Sequence, residues 1–189
     1  MSRIWITGYR NYELEIFKDD DPKLKIITLV LKQLLKNQIE SGATWLITGA
    51  QLGVEQWAIE AGAQLKPTYP EFKIAVMLPF TEFGNQWNEN NQAKLSGILT
   101  KADFTDSVSH SPYQSPRQLR TYQHFMLTHT DQAILLYDPE HPGKSKYDYE
   151  VIQKWQENHP YPLELIDFDD LQDAANEYEE SQNNSFNLD

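Results

Sequence analysis

The 189-residue chain contains no cysteine, which excludes both disulfide bonds and thiolate metal sites. It also lacks an apolar run long enough to span a bilayer, and its opening Met-Ser-Arg-Ile-Trp does not resemble a signal peptide. Together these absences predict a cytoplasmic protein in a reducing compartment, without membrane interaction.

Basic residues are scarce as well, with 16 lysines and arginines against 28 acidic residues and a formal net charge of −12. Seven of the acidic residues fall within residues 169–189, where lysine and arginine are absent, so the rest of the chain is only mildly acidic. Without a basic stripe the chain cannot neutralise many phosphates, and strong nucleic-acid binding is not expected. The polar segment 169–189 is predicted to be a disordered tail, after one short helix at 171–178.

Hydrophobic residues make up 40% of the chain, which suits one domain with a full core, assigned to residues 1–168. Helical patterns alternate with six short apolar segments, which predict strands at residues 4–7, 45–48, 74–78, 104–108, 133–137 and 163–166. This alternation predicts a single Rossmann-like α/β domain, with a doubly wound, mainly parallel sheet and helices on both faces.

Two of the predicted strands end in Ile-Thr-Gly, at Gly8 and at Gly49. In open α/β sheets, ligands bind beyond the carboxyl ends of the strands, where the strand order reverses. Arg10 in the first loop offers a planar fork for phosphate or carboxylate, and an ordinary surface arginine is the alternative.

The second loop, residues 49–53, leads into a helix with the spacing G-x-x-x-G. Gly49 allows a ligand to approach the backbone, and Gly53 leaves the mouth of the helix open to a phosphate. The spacing matches neither the dinucleotide motif nor the Walker loop, so a turn that needs glycine for its geometry alone is an equal alternative. Glu55, in the first turn of the helix, is placed to accept ribose hydroxyls or to act as acid, base or oxocarbenium-stabilising carboxylate.

Amide side chains cluster near the start of the third predicted helix. Extending that helix backward from its apolar stripe puts Trp87 and Asn91 on its inner face, with Asn88 and Gln92 beside them. Buried amides need partners that a ligand would supply, and the Trp87 indole offers a flat surface for a nucleobase. The alternative is that the amides cap neighbouring loops.

Polar residues also follow the fifth predicted strand. Asp138 is either an acceptor for a ribose hydroxyl or a turn former, and Lys144 is either a phosphate ligand or a solvated lysine. The Gly-Lys-Ser sequence at 143–145 is rejected as a Walker loop because the upstream glycine is missing. Ser145 and Asp148 instead fit the capping box of a helix. No metal site is predicted, because none of the five histidines has metal-ligand spacing.

The combination of these motifs resembles the YpsA family of Gram-positive bacteria, within the SLOG superfamily. The matching segments are GYR (8–10), TGAQLGVEQWA (48–58), LPF (78–80), WNENNQ (87–92) and LYD (136–138), and the resemblance extends over residues 1–168. This superfamily is similar to the DNA-processing protein DprA and to the cytokinin-activating lysine-decarboxylase-like proteins. The resemblance implies a Rossmann-like fold that binds a nucleotide or a nucleotide-derived ligand such as ADP-ribose, with no other cofactor required.

The resemblance also implies which residues form the pocket: Gly8, Gly49, Gly53, Glu55, Trp57, Trp87, Asn88 and Gln92. Neighbouring loop and helix residues complete the candidate ligand site: Arg10, Gln51, Pro79, Phe80, Asn91, Asp138 and Lys144. Family members often carry Arg-Asn where this chain has Tyr122 and Gln123, so no role is assigned to that pair.

Two functions are compatible with these patterns. The first is a regulatory module that senses a nucleotide-type ligand, and the resemblance implies links to stress and to a protein partner in cell division. The second is an enzyme that cleaves an N-glycosidic bond of a nucleotide, with Glu55 in the reaction. The binding module is favoured because the motifs contain no second positioned acid or nucleophile. A homodimer is expected only from the general frequency of homo-oligomers.

Overall fold

The computed structural model describes residues 2–187, which contain one six-stranded sheet. Its strands are β1 (Ser2–Gly8), β2 (Ala43–Thr48), β3 (Lys73–Leu78), β4 (Phe104–Ser107), β5 (Gln132–Leu136) and β6 (Leu163–Ile166). All neighbouring strands are parallel, and their order is β4-β3-β2-β1-β5-β6. The predicted Rossmann-like α/β fold is therefore confirmed.

Helices connect the strands: α1 (Pro22–Glu40), α2 (Val54–Leu65), α3 (Glu89–Leu99), α4 (Pro116–His129), α5 (Lys146–Gln156) and α6 (Phe168–Phe186), with a short 3-10 helix at Asn11–Leu14. α1 packs on α2 and α2 on α3, while α4 packs on α5. Crossovers between parallel strands are right-handed, and the chain reverses its direction across the sheet after β4. The first three helices therefore cover one face, and α4 and α5 cover the other.

The two central strands form the middle of the core. Ile4, Trp5 and Ile6 of β1 and residues 133–136 of β5 are at most 1% exposed. Such continuous burial is typical of parallel strands covered on both faces. Because strand order reverses between β1 and β5, the crevice beyond their carboxyl ends is the expected ligand position.

The third helix begins later than its apolar stripe predicts. Asn88 is the N-cap of α3, and its Oδ1 accepts a hydrogen bond from the Asn91 N–H at 2.8 Å. Because of this cap the helix begins at Glu89, and the predicted extension of the helix back to Trp87 is wrong.

Most of the acidic segment forms the long helix α6, which ends at Phe186, where composition predicts a short helix and a disordered tail; residues 188–189 of the predicted tail lie outside the described residues. Asp167 and Asp170 form a capping box at its start, and Phe168 and Leu171 pack against the core. The overall polar composition of the segment hides the contribution of these few residues. They supply a helix cap, favourable charges at the helix N-terminus and two apolar side chains that pack on the core. The domain boundary at residue 168 stays a prediction.

None of the helices between residues 2 and 187 combines the length and apolar character that a membrane crossing requires.

Candidate functional site

A cavity of about 620 Å³ lies at the carboxyl edge of the sheet. Segments that follow the strands supply its floor, which includes Arg10, Ala50, Gln51, Glu55 and Pro79. Helices α4 and α5 supply its walls, which include Tyr122, Gln123, Tyr147 and Asp148. Small-molecule sites typically enclose roughly 300–1,000 Å³, so the cavity is large enough for a nucleotide.

Glu55 lies on the floor of the cavity with 5% of its surface exposed. Its Oε2 accepts a hydrogen bond from the Thr7 hydroxyl at 2.9 Å, and its Oε1 accepts one from the Gln51 N–H at 3.1 Å. These bonds tie the carboxylate to the end of β1 and to the loop after β2. The structure thus places Glu55 at the cavity, and its role toward a ligand stays a prediction.

Tyr122 of α4 brings a buried hydroxyl to the same place. A Cβ atom at Gly49 would lie 2.6 Å from the Tyr122 hydroxyl and would overlap Glu55 Oε1, so glycine is required there. The hydroxyl has no hydrogen-bond partner among the residues that the structure describes. Burial, together with the nearby carboxylates of Glu55 and Asp148, raises the pKa of Tyr122 well above its ordinary value. The phenol therefore keeps its proton and is an available donor.

Asp148 of α5 is a second carboxyl group in the cavity. Its Oδ1 accepts a hydrogen bond from Gln123 Nε2 at 2.8 Å. Burial raises the pKa of Asp148 to about 6, against the lowering effects of the Gln123 hydrogen bond and the Arg10 guanidinium, and the Glu55 carboxylate adds to the rise. The cavity therefore combines two carboxyl groups with a phenol.

The sequence interpretation of Asp148 as part of a capping box is wrong. Ser145 is the N-cap of α5 but makes no side-chain cap hydrogen bond, and its hydroxyl is buried without a partner. Helical phase would have been the better signal, because Asp148 lies one turn before the fully buried Ile152 and so shares its inner face.

Four basic side chains line the cavity: Arg10, Arg120, Lys144 and Lys154. None of them forms an ion pair within residues 2–187, and seven further lysines and arginines elsewhere in the described part of the chain are unpaired too, so these four are set apart by lining one cavity. The half-buried Arg10 donates from Nη1 to the Gly8 carbonyl oxygen at 3.2 Å, which leaves further guanidinium donors for a ligand.

Glu13 holds the main chain of two of these basic residues. Its Oε1 accepts a hydrogen bond from the Arg10 N–H at 2.8 Å, and its Oε2 accepts one from the Lys144 N–H at 3.0 Å. A Cβ atom at Gly143 would overlap Glu13 Oε2. Glu13, which the motif analysis missed, thus links the loop after β1 to the loop before α5.

The mouth of α2 is filled by the protein's own backbone. The Val54 N–H donates to the Tyr9 carbonyl oxygen at 3.1 Å, and Arg10 pairs with Gly53 in an antiparallel bridge. Gly53 has a φ of 118°, and a Cβ atom there would lie 2.5 Å from the Tyr9 oxygen. This geometry accounts for Gly53 through the turn alone, and Gly53 lines a separate groove beside α2 and α3. Its phosphate contact stays a prediction.

Gly8 and Trp57 also lie away from the cavity. A Cβ atom at Gly8 would lie 2.5 Å from the Leu136 carbonyl oxygen, so this glycine permits close packing of β1 on β5. Trp57 lines the separate groove with Gly53.

The two predicted aromatic residues of the segment after β3 pack on a third, Phe83. Phe80 and Trp87 both contact Phe83, with ring centroids 5.7 and 5.2 Å apart respectively. Phe83 and Pro79 line the cavity, whereas Phe80 and Trp87 stand behind them.

Amide side chains near the start of α3 form hydrogen bonds with nearby backbone, in agreement with the alternative that they cap neighbouring loops. Gln92 Nε2 donates to the carbonyl oxygens of Asn85 and Trp87, each at 2.8 Å. Asn88 caps Asn91, and neither these two residues nor Gln92 lines the cavity. Their role as ligand contacts stays a prediction.

Asp138 forms the turn after β5. Its carboxylate accepts hydrogen bonds from the Glu140 N–H at 2.9 Å and the Phe168 N–H at 3.2 Å. These bonds, with that to Glu140 contributing most, hold the pKa of Asp138 below its ordinary value. Both carboxylate oxygens are thereby engaged outside the cavity, and the ribose contact stays a prediction.

Within residues 2–187, no group of three or more acidic or histidine side chains is arranged to hold a metal ion.

Comparison with known proteins shows which family the chain belongs to. A family model named YpsA and described as the YspA SLOG family matches residues 4–171, a span that contains every residue lining the cavity. The chain belongs to the YpsA family of SLOG proteins. The family resemblance stated from the motifs is therefore confirmed.

Relatives of this YpsA-family protein match along the full chain. A UPF0398 protein of Lactiplantibacillus plantarum is 59% identical over 188 residues, which cover 100% of both chains. UPF0398 proteins of Levilactobacillus brevis and Lacticaseibacillus casei are 59% and 51% identical, and they cover 97% and 99% of this chain and 97% and 98% of their own lengths.

Proposed function

We propose that this cavity binds an anionic ligand of the nucleotide type, such as ADP-ribose, and that the protein is a regulatory binding module. The observation that carries the proposal is the group of four cations without ion-pair partners, Arg10, Arg120, Lys144 and Lys154, in a chain of net charge −12. Phosphate oxygens are natural partners for such groups, above all for the half-buried Arg10 fork.

The rest of the cavity suits the other parts of a nucleotide. Glu55 and the Tyr122 hydroxyl provide an acceptor and a donor for sugar hydroxyls. At the rim, Tyr147 is 70% exposed and Leu119 is 42% exposed, which offers apolar surface for a base. In this proposal a protein partner binds the occupied and the empty form of the site differently. Links to cell division or stress belong to this part of the proposal.

Thermal shift with a panel of nucleotides and ADP-ribose, followed by calorimetry, tests the proposal. Arg10→Met keeps the aliphatic stem and removes the fork, so we expect affinity to fall by roughly one to two decades, the value of a charge-assisted hydrogen bond. Arg117→Met is the matched control, because Arg117 is exposed on α4 and does not line the cavity. Equal loss in both variants, or no binding by any compound, would reject the site.

A second candidate function is N-glycosidic cleavage, which Asp148 favours because it supplies the second acid that the motifs lack. With a pKa of about 6, Asp148 is suited to donate a proton to a departing base, while Glu55 stabilises positive charge on the sugar. Water would add its hydroxyl to the anomeric carbon and its proton to solvent. Chromatography of incubated nucleotides for free base separates the candidates: binding without base supports the module, and base release that Asp148→Asn abolishes supports the enzyme.

A further inference from the structure

Asp148 lines the same cavity as the unpaired cations, and the Arg10 guanidinium is near enough to lower the pKa of the Asp148 carboxyl. Gln123 Nε2 anchors the Asp148 carboxyl at 2.8 Å. No lysine, arginine or histidine in residues 2–187 lies within ion-pair distance of it. The cavity cations therefore form no ion pair with Asp148, and Arg10 offsets its charge only through the longer-range field that lowers the pKa of the carboxyl.

Charged and titratable groups from each surrounding element line the cavity together with Asp148. The cations are Arg10 after β1, Arg120 of α4, Lys144 before α5 and Lys154 of α5. The acidic and phenolic groups are Glu55 of α2, Tyr122 of α4, and Tyr147 and Glu150 of α5. None of the residues that line the cavity is a histidine.

Burial already raises the pKa of the Asp148 carboxyl to about 6, so this group titrates close to neutral pH. At pH 7, about one tenth of ligand-free molecules then carry this proton. A phosphate group placed nearby would disfavour the charged carboxylate further, because like charges raise the pKa of an acid. The neutral carboxyl, in contrast, offers a phosphate an O–H donor.

We propose, building on the ligand site above, that Asp148 recognises the anionic ligand in its protonated form and takes up a proton from solvent when the ligand binds. Affinity then depends on pH through one identified residue. The dissociation constant rises with pH above 6 by up to about tenfold per pH unit, the limit for one linked proton.

ADP-ribose is the probe of choice. Its two phosphates form a diphosphate bridge with a ribose at each end, so they do not titrate between pH 6 and 8, whereas a phosphate monoester titrates near about pH 6 and would obscure the protein's proton. Calorimetry at pH 6, 7 and 8, in two buffers of different ionisation heat, gives both affinity and protons taken up. For the unmodified protein we expect weaker binding at each higher pH and a proton uptake that increases from at most about half a proton per ligand at pH 6 toward one at pH 8.

Two substitutions at the cavity make the result specific. Asp148→Asn keeps the acceptor for Gln123 and removes the titration, so affinity should be flat from pH 6 to 8 with no proton uptake. Gln123→Met removes the hydrogen bond that holds the Asp148 pKa down, so the decline in affinity should begin at a higher pH. A merely structural role of either residue would not move the pH profile in this way.

Asp169→Asn is the matched control, because Asp169 is exposed on α6 and should leave the profile unchanged. Binding of ADP-ribose with no pH dependence, or a profile that persists in Asp148→Asn, overturns this inference and leaves the proposed ligand site intact. Absence of binding at every pH overturns the proposed site and this inference together.

Discussion

The Tyr122 hydroxyl faces the Cα atom of Gly49, and no group among residues 2–187 forms a hydrogen bond with it. An unpartnered hydroxyl of this kind costs roughly 1–3 kcal/mol of folding free energy. The hydroxyl lies beside Glu55 in the cavity that also holds the unpaired cations, where a bound ligand would be able to satisfy it.

Tyr122→Phe should therefore separate stability from binding. Removing the unpartnered hydroxyl should leave the free energy of unfolding unchanged or raise it by about 1 kcal/mol, while ADP-ribose binding weakens. Urea unfolding and calorimetry measure the two effects. Tyr161→Phe is the control, because the Tyr161 hydroxyl lies 2.7 Å from Thr130 Oγ1 and its loss should destabilise the protein by about 1 kcal/mol. Similar destabilisation by both changes would show that the Tyr122 hydroxyl is satisfied.

Gly49→Ala should destabilise the protein, because its methyl group would overlap Glu55 Oε1 and lie 2.6 Å from the Tyr122 hydroxyl. Overpacking of this kind costs about 1–3 kcal/mol. Gly97→Ala provides the comparison: Gly97 lies within α3, nothing lies within 4 Å of its would-be Cβ, and the change should stabilise by roughly 0.5–1 kcal/mol. Chemical unfolding curves that rank the two variants in the opposite order would contradict the cavity geometry.

Asp148→Asn should alter how stability depends on pH in the absence of ligand. The folded pKa of Asp148, about 6, lies above the usual value of 3.8, so its proton stabilises the folded state below pH 4 and this stabilisation is lost as pH rises through 6. Relative to the asparagine variant, the unmodified protein should lose up to about 3 kcal/mol across this window. Urea unfolding at pH 4.5, 6 and 7.5 gives the difference, and a constant difference would show that Asp148 does not titrate as stated.

Glu55→Gln should preserve folding but weaken binding. The glutamine oxygen can accept from the Gln51 N–H, and its amide can donate to the Thr7 hydroxyl, so we expect a stability change below ~1 kcal/mol. Affinity for ADP-ribose should fall by roughly one to two decades, the value of a charge-assisted hydrogen bond. Glu60→Gln on the same helix, which removes the partner of Lys101 outside the cavity, should leave affinity unchanged. Unchanged affinity in the Glu55 variant would remove this carboxylate from the site.

Two truncations should show that the start of α6 stabilises the protein and that its end does not. Removing residues 179–189 should shift the melting temperature by no more than about 2 °C, because these side chains are exposed where described and bury little. Removing residues 168–189 should cost about 3 kcal/mol or more, because Phe168 packs on Tyr9 at a centroid distance of 5.4 Å. Differential scanning calorimetry distinguishes the two, and equal melting temperatures would mean that the start of α6 adds no stability.

Most of the fold was predictable from sequence because parallel strands buried on both faces are short apolar runs, as in β1 and β5. The floor of the cavity was partly predictable too, since Arg10 and Glu55 lie beside glycine loops at strand ends. The walls were not, because Tyr122 and Asp148 come from helices far along the chain, and only the sheet topology brings Tyr122 next to Gly49 and Asp148 into the same cavity. A local pattern even pointed away from the cavity, because Ser145 and Asp148 have the spacing of a helix capping box.

The antiparallel bridge between Arg10 and Gly53 has a consequence for the time course of recognition. Backbone hydrogen bonds on one side, and the Glu13 carboxylate on the other, hold the arginine's main chain before any ligand arrives. Association then needs no loop closure to bring the guanidinium into place, and its rate is set by encounter with the cavity mouth rather than by rearrangement. Stopped-flow traces should accordingly show a single phase whose rate increases linearly with ligand concentration.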